Sequence, residues 1–132
     1  VKTGAAFFVL LAAMAMARST RDGVYTDAQA RRGEAAYKKS CVSCHGEKLD
    51  GSGQIPALGG EEFEMTWTGK NLDDIFERMQ GSMPADNPGK LTRPENADIL
   101  AYILKANKLP AGTSELPSEA EALKKIEIDA GK

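Results

Sequence analysis

Apolar and polar residues follow three different patterns along the chain. The first is an unbroken apolar run at residues 4–17 (GAAFFVLLAAMAMA), preceded by a single charge, Lys2. As a helix it would extend about 21 Å at 1.5 Å per residue, short of the roughly 20 residues that cross a bilayer. It fits the core of a secretory signal peptide, with Ala15-Met16-Ala17 as a small-x-small cleavage site. Residues 1–17 are therefore expected to be removed, leaving Arg18 first. The alternative is a retained membrane anchor facing the periplasm. Either way the working part lies outside the cytoplasm, in the periplasm, where conditions are oxidising.

The second pattern is helical. Thr26-Asp27-Ala28-Gln29 reads as a capping box, with Thr26 as N-cap and Gln29 reaching back. It opens a helix to about Ser40 whose face of Gly33, Ala36 and Tyr37 suits close crossing by another helix. In Asn71–Gln80 the residues Leu72, Ile75, Phe76 and Met79 recur at i, i+3, i+4 and i+7, and Asp73 and Asp74 favour the helix start. Gly81 is expected to stop that helix. Thr92 and Pro94 open a third, ending near Asn107, with Ile99, Tyr102, Ile103 and Ala106 on its inner face. Ser118-Glu119-Ala120-Glu121 begins a short, weakly amphipathic helix with Leu123 and Ile126.

The third pattern is the lack of any period. Residues 18–25 read as a flexible lead-in, 45–60 as a glycine-rich loop, Ser82–Leu91 as a loop containing Met83-Pro84 and Asn87-Pro88-Gly89, and Ala111–Pro117 as a linker. No strand is expected. The chain is thus all-α, three main helices plus long loops and a short extra C-terminal helix, divided as 1–17, 18–25, 26–109 and 110–132. Loops this long in so small a domain usually wrap something.

Composition sharpens that expectation. Aromatic residues make up only 6% of the chain, thin for a small core, so a non-protein group is expected to fill part of the interior. A net charge of −2 provides no basic field for nucleic acid. Two cysteines and one histidine leave no disulfide framework and too few ligands for a closed zinc site.

Those three residues form one motif, Cys41-Val42-Ser43-Cys44-His45, the C-x-x-C-H attachment signature of c-type haem. Thiols three residues apart can each add to one porphyrin vinyl group, and the next side chain then points at the iron. A thioredoxin-like pair would sit at a helix N-terminus after a strand, whereas this pair follows a helix. His45 is the only histidine, so a second histidine ligand is impossible within one chain. A methionine, a lysine, a water or an open site remains. Of the methionines beyond residue 17, Met79 falls on an apolar helix face, Met65 in an irregular stretch beside acidic residues, and Met83 on a loop where Pro84 fixes the backbone. Met83 is the expected ligand.

From Thr26 to Asn107 the chain resembles a mono-haem class I cytochrome c. The resemblance rests on Gly33-x-x-x-Tyr37, the C-x-x-C-H motif, Pro56-Ala57-Leu58, Met83-Pro84 and Ile99-Leu100-Ala101-Tyr102-Ile103. The spacing is also similar to cytochrome subunits and domains that serve quinoprotein dehydrogenases. The resemblance implies a cytochrome c fold around one haem c, held by thioethers to Cys41 and Cys44 with His45 and Met83 as axial ligands. It implies that the Pro56 carbonyl accepts the Nδ1–H bond of His45, that Leu58 packs on the porphyrin, and that Gly33 lets the first helix cross the last beside Tyr37 and Tyr102. Trp67, the only tryptophan, would bond a haem propionate or a core carbonyl.

The surface charges have a bland and a functional reading. Glu61, Glu62 and Glu64 form a solvated acidic loop or patch. Lys38, Lys39, Lys48, Arg78, Lys90 and Arg93 are scattered solvated charges or a ring steering an acidic partner.

With His/Met ligation the iron has no open position, so the expected role is one-electron transfer rather than catalysis. The partners would be a donor dehydrogenase or complex and an acceptor oxidase or reaction centre. The alternatives are a cytochrome subunit of a larger dehydrogenase or of a respiratory or photosynthetic complex, and a small haem peroxidase or gas sensor.

Overall fold

The computed structural model describes residues 18–132; the expected signal peptide lies outside them. Three helices carry the scaffold. α1 (Asp27–Ser40) buries Gln29, Ala30, Gly33 and Tyr37, and α5 (Arg93–Ala106) is buried nearly all round, from Asn96 to Leu104. They cross at Gly33, where a Cβ would lie 1.7 Å from the Asp98 carbonyl oxygen, so only a residue without a side chain fits. Next to the crossing, the Tyr37 and Tyr102 rings pack at 5.2 Å. Ala106, expected inside, is exposed, because the buried stripe of α5 runs through Leu100, Ala101 and Leu104 instead.

α4 (Leu72–Ser82) starts at an Asn71–Asp74 capping box and buries Leu72, Ile75 and Phe76, with Met79 packed against the core. Gly81 does not stop it. The helix runs to Ser82, whose hydroxyl bonds the Arg78 carbonyl inside the last turn. A one-turn α2 (Val42–His45) follows α1 directly.

Several expectations did not match the packing. A helix absent from the periodicity, α3 (Gly60–Trp67), spans the expected acidic loop and buries Phe63 and Trp67. The capping box at α1 is half formed. Thr26 accepts from the Gln29 amide, but the Gln29 side chain does not turn back. It is buried and bonds both the amide (2.7 Å) and the carbonyl (3.1 Å) of Leu116.

The segments expected as flexible lead-in and linker are packed together. Residues 18–25 contain buried Thr20, Val24 and Tyr25. The Tyr25 carbonyl accepts from Gly112 N–H at 2.7 Å, and a Cβ on Gly112 would collide with the Gly23 carbonyl at 2.0 Å. The extension continues through α6 (Ala120–Leu123). It then enters a two-residue strand, β2 (Ile126–Glu127), parallel to β1 (Arg18–Ser19) in the register Arg18↔Ile126 and Ser19↔Glu127. An antiparallel bridge joins Glu127 to Asn71 on the other side. Leu116, Leu123, Ile126 and Ile128 are all buried; fully burying a side chain of this kind contributes about 1.5–3 kcal/mol, enough to hold the segment down. No helix among the described residues is long and apolar enough to cross a membrane.

Candidate functional site

The site is built where α1 gives way to α2. Cys41 ends α1, its amide bonding the Tyr37 carbonyl at 2.8 Å, and α2 carries Cys44 and His45. Tyr37 holds this junction from below by donating its hydroxyl to the Gly46 carbonyl at 2.7 Å. Burial first, and then the neighbouring Cys41, raise the Tyr37 phenol well above its ordinary value, so it stays a donor.

His45 is buried, with Nδ1 at 3.0 Å from the Pro56 carbonyl. A carbonyl can only accept, so Nδ1 carries the proton and Nε2 keeps a free lone pair. That is the tautomer a metal ligand requires, and the bond fixes the orientation of the ring.

The loop supplying Pro56 is bonded at several levels. Gly51 N–H reaches the His45 carbonyl at 2.9 Å, Ser52 and Ile55 exchange backbone bonds at 3.0 and 2.9 Å, and Leu58 N–H reaches the Leu49 carbonyl at 2.7 Å. Leu49 is buried with φ +58°, a conformation costly to a residue with a Cβ and kept only where the surroundings enforce it. Asn107 closes the loop onto the end of α5. Its Nδ2 donates to the Leu58 carbonyl at 2.9 Å and the Ile103 carbonyl at 2.8 Å, while Oδ1 accepts from Gly60 N–H at 3.1 Å. Asn107 and Leu49 were both missed in the sequence. No motif marks them, since their roles come from partners far along the chain.

The two cysteines are free thiols, Cys41 half-buried and Cys44 exposed. Burial first, and Cys44 second, push the Cys41 thiol up to about 11. A dithiol redox centre works through a thiolate of lowered pKa, and burial moves Cys41 in the opposite direction. Among the described residues no three His, Cys, Asp or Glu side chains gather as a metal cluster. One imidazole bonded through Nδ1 and two unpaired thiols beside it instead fit an iron that brings its own ring of nitrogens.

The other expected residues fall as follows. Met83 caps α4 in extended conformation (φ −118°, ψ 150°), its amide bonding the Met79 carbonyl at 2.9 Å. It is half-buried, and its peptide bond to Pro84 is cis. Leu58 is partly buried against the core. Met65 lies in α3, not in an irregular stretch, and is 77% exposed. Trp67 is buried at the end of α3 with the Lys70 ammonium 4.9 Å from its ring centroid. Of the six basic residues, Lys38 pairs with Glu34 and Arg93 with Glu77. Lys39 and Lys90 both add to the pull of the Thr92 bonds that lower the Glu95 carboxyl.

Comparison with known proteins decides the family. Residues 28–103, more than half of the chain, match the family model described as cytochrome c oxidase, cbb3-type, subunit III. The chain belongs to the mono-haem class I cytochromes c. It is also 38% identical over 87 residues to cytochrome c-551 of Bacillus subtilis (strain 168), a match covering 61% of this chain and 73% of that protein. No solved structure matches at the same stringency. This cytochrome is therefore an electron-transfer haem protein carrying covalent haem c, and it works with redox partners. Its relatives are electron carriers and are usually exported.

Proposed function

We propose that this cytochrome is a periplasmic one-electron carrier whose haem is anchored by Cys41 and Cys44 and clamped between His45 and Met83. The observation that carries the reading is the His45–Pro56 bond, which occupies Nδ1 of a buried imidazole and leaves Nε2 for a metal. Each thiol would add across a vinyl group, its sulfur and hydrogen going to the two carbons, with no net change of oxidation state. The bound haem supplies an iron that alternates between ferrous and ferric states.

The remaining work falls to the chain. Pro56 fixes the imidazole ring. Met83 supplies a neutral thioether, which favours ferrous iron and a high potential. Leu58 and the surrounding apolar residues exclude water and disfavour the additional charge of ferric iron. Trp67 would bond a propionate through its indole N–H. Held by His45 and Met83, the iron would have no position free for a small substrate, and the chain would serve transfer rather than catalysis. Residues 1–17 act as the export leader. The working unit starts at Arg18 and includes the extension, because residues 18–25 and 111–131 are packed into it.

Met83→Ala in the holoprotein tests the ligand. The expected result is loss of the methionine–iron absorption at the red end of the spectrum and a lower midpoint potential, with covalent haem retained. A spectrum like that of the unaltered protein would move the ligand to Met65 or elsewhere. Binding of carbon monoxide by the untreated reduced protein would instead favour a peroxidase or sensor.

A second reading, a cytochrome subunit of a larger complex, is favoured by the description of the matching family model as an oxidase subunit. Persistent co-migration with a larger enzyme in size-exclusion of a native extract would select it.

A further inference from the structure

The extension after Pro110 lies beyond the residues that match the family model, 28–103. It anchors at two places. On α1, Leu116 exchanges two hydrogen bonds with Gln29. At the far end, residues 126–129 lie between two other segments. On one side are Arg18 and Ser19, together with the buried Thr20 hydroxyl, which accepts from Asp129 N–H at 3.0 Å and bonds the Asp129 carbonyl at 3.2 Å. On the other side is the turn directly after Trp67. Ile128 N–H donates to the Lys70 carbonyl at 2.7 Å, and Gly69 N–H donates to the Ile128 carbonyl at 2.9 Å. The Ile128 side chain is fully buried.

This second anchor does not hold an arbitrary turn. Residues 67–70 carry the only tryptophan and the cation seated over it, and Trp67 itself is buried where α3 ends. The turn has one internal backbone bond, Lys70 N–H to the Trp67 carbonyl at 3.0 Å. Thr68 N–H ties it to α3 through the Glu64 carbonyl at 3.1 Å, and its other ties are the pair of bonds to Ile128 and the Asn71–Glu127 bridge.

We propose that the C-terminal strap positions the Trp67–Lys70 corner of the haem crevice, with Ile128 as the positioning residue and Thr20 as its backstop. The proposal rests on the reading that Trp67 lies beside the haem. An indole N–H and an ammonium kept next to the propionates offset negative charge near the iron and favour the ferrous state, and a corner held shut keeps water from the crevice. A loosened corner loses both effects.

The single tryptophan provides the test, because a haem close by quenches its fluorescence. In the full-length holoprotein, Ile128→Ala is expected to raise Trp67 emission, speed hydrogen exchange at the Gly69 amide and shift the midpoint potential downward. Ile128→Val is expected to restore all three. Thr20→Val, volume-matched but without the hydroxyl, serves if Ile128→Ala does not fold; it is expected to act in the same direction and Thr20→Ser to reverse it. Leu116→Ala truncates the same extension at its α1 anchor and is expected to lower stability while leaving emission and potential unchanged.

Equal shifts in Leu116→Ala and Ile128→Ala would overturn the proposal, since general loosening would then explain them. So would unchanged emission and potential in a variant whose Gly69 exchange shows the corner released. Bright emission from the unaltered holoprotein would overturn the placement of Trp67 itself, and the proposal with it. Quenched emission in every variant overturns the strap's role alone.

Discussion

The loops expected on the two sides of the iron are built differently. The histidine loop, residues 46–60, is tied at many levels: to α1 through Tyr37, to His45 through Pro56, across itself through Leu49, and to the end of α5 through Asn107. The methionine loop, residues 83–91, is mostly exposed. Its bonds are Met83 to Met79, Asn87 to Pro84, Lys90 to Asn87, and the Gln80 side chain to the Leu91 carbonyl at 3.2 Å. All of these are local turns except the last. The imidazole proposed as one ligand is thus fixed by the fold itself, while Met83, proposed as the other, sits on a segment whose bonds are mostly local.

The largest expected effect removes the comparison altogether. Both loops hang on the α1–α5 crossing, so Gly33→Ala, which forces a Cβ to 1.7 Å from the Asp98 oxygen, should cost more than about 3 kcal/mol in denaturant unfolding. A smaller, paired effect sharpens it. Asn107→Ala strands the Leu58 carbonyl and the Gly60 amide on the histidine side and should cost about 2–3 kcal/mol. Gln80→Ala leaves the buried Asn96 amide without its acceptor on the methionine side and should cost about 1–2 kcal/mol. Reversal of that order in urea titrations would contradict the asymmetry.

The smallest effect concerns acid. Asp27 is lowered by its bond to Lys105, Glu34 by its bond to Lys38, and Glu95 by the Thr92 cap. A carboxyl depressed in the folded state contributes stability that is fully present above its unfolded pKa, about 3.9 for Asp and 4.3 for Glu. That stability fades as pH falls through the lowered values. All three groups are on α1 and α5 and well exposed, so melting temperature should drop only slightly between about pH 6 and about pH 4, and faster below. The methionine–iron band should not change first, because these three groups lie on α1 and α5 and not in either loop.

Legibility in the sequence followed the range of the interaction. α4 and α5 could be read because their caps and apolar period lie within one helix, and α1 for the same reason. Even there Gln29, which fitted a local capping role, turned out to bond a residue 87 positions away. α3 escaped because Gly59 gives no side-chain cap and its three glutamates mask an apolar pair, Phe63 and Trp67, one turn apart. The C-x-x-C-H motif was plain, since its chemistry needs adjacent residues. The acceptor for His45 is a backbone carbonyl, invisible to composition, and reached the reading only through resemblance. The strap was illegible because two-residue strands have no period and their partners lie more than fifty residues off.

The position of β2 also sets an order of events. A chain is made from its N-terminus, so residues 41–45 emerge long before 126–129, and contacts between distant segments close late. Residues 18–20 and the turn after Trp67 therefore wait for their β2 partners until residues 126–129 have been made, more than fifty residues after the turn itself.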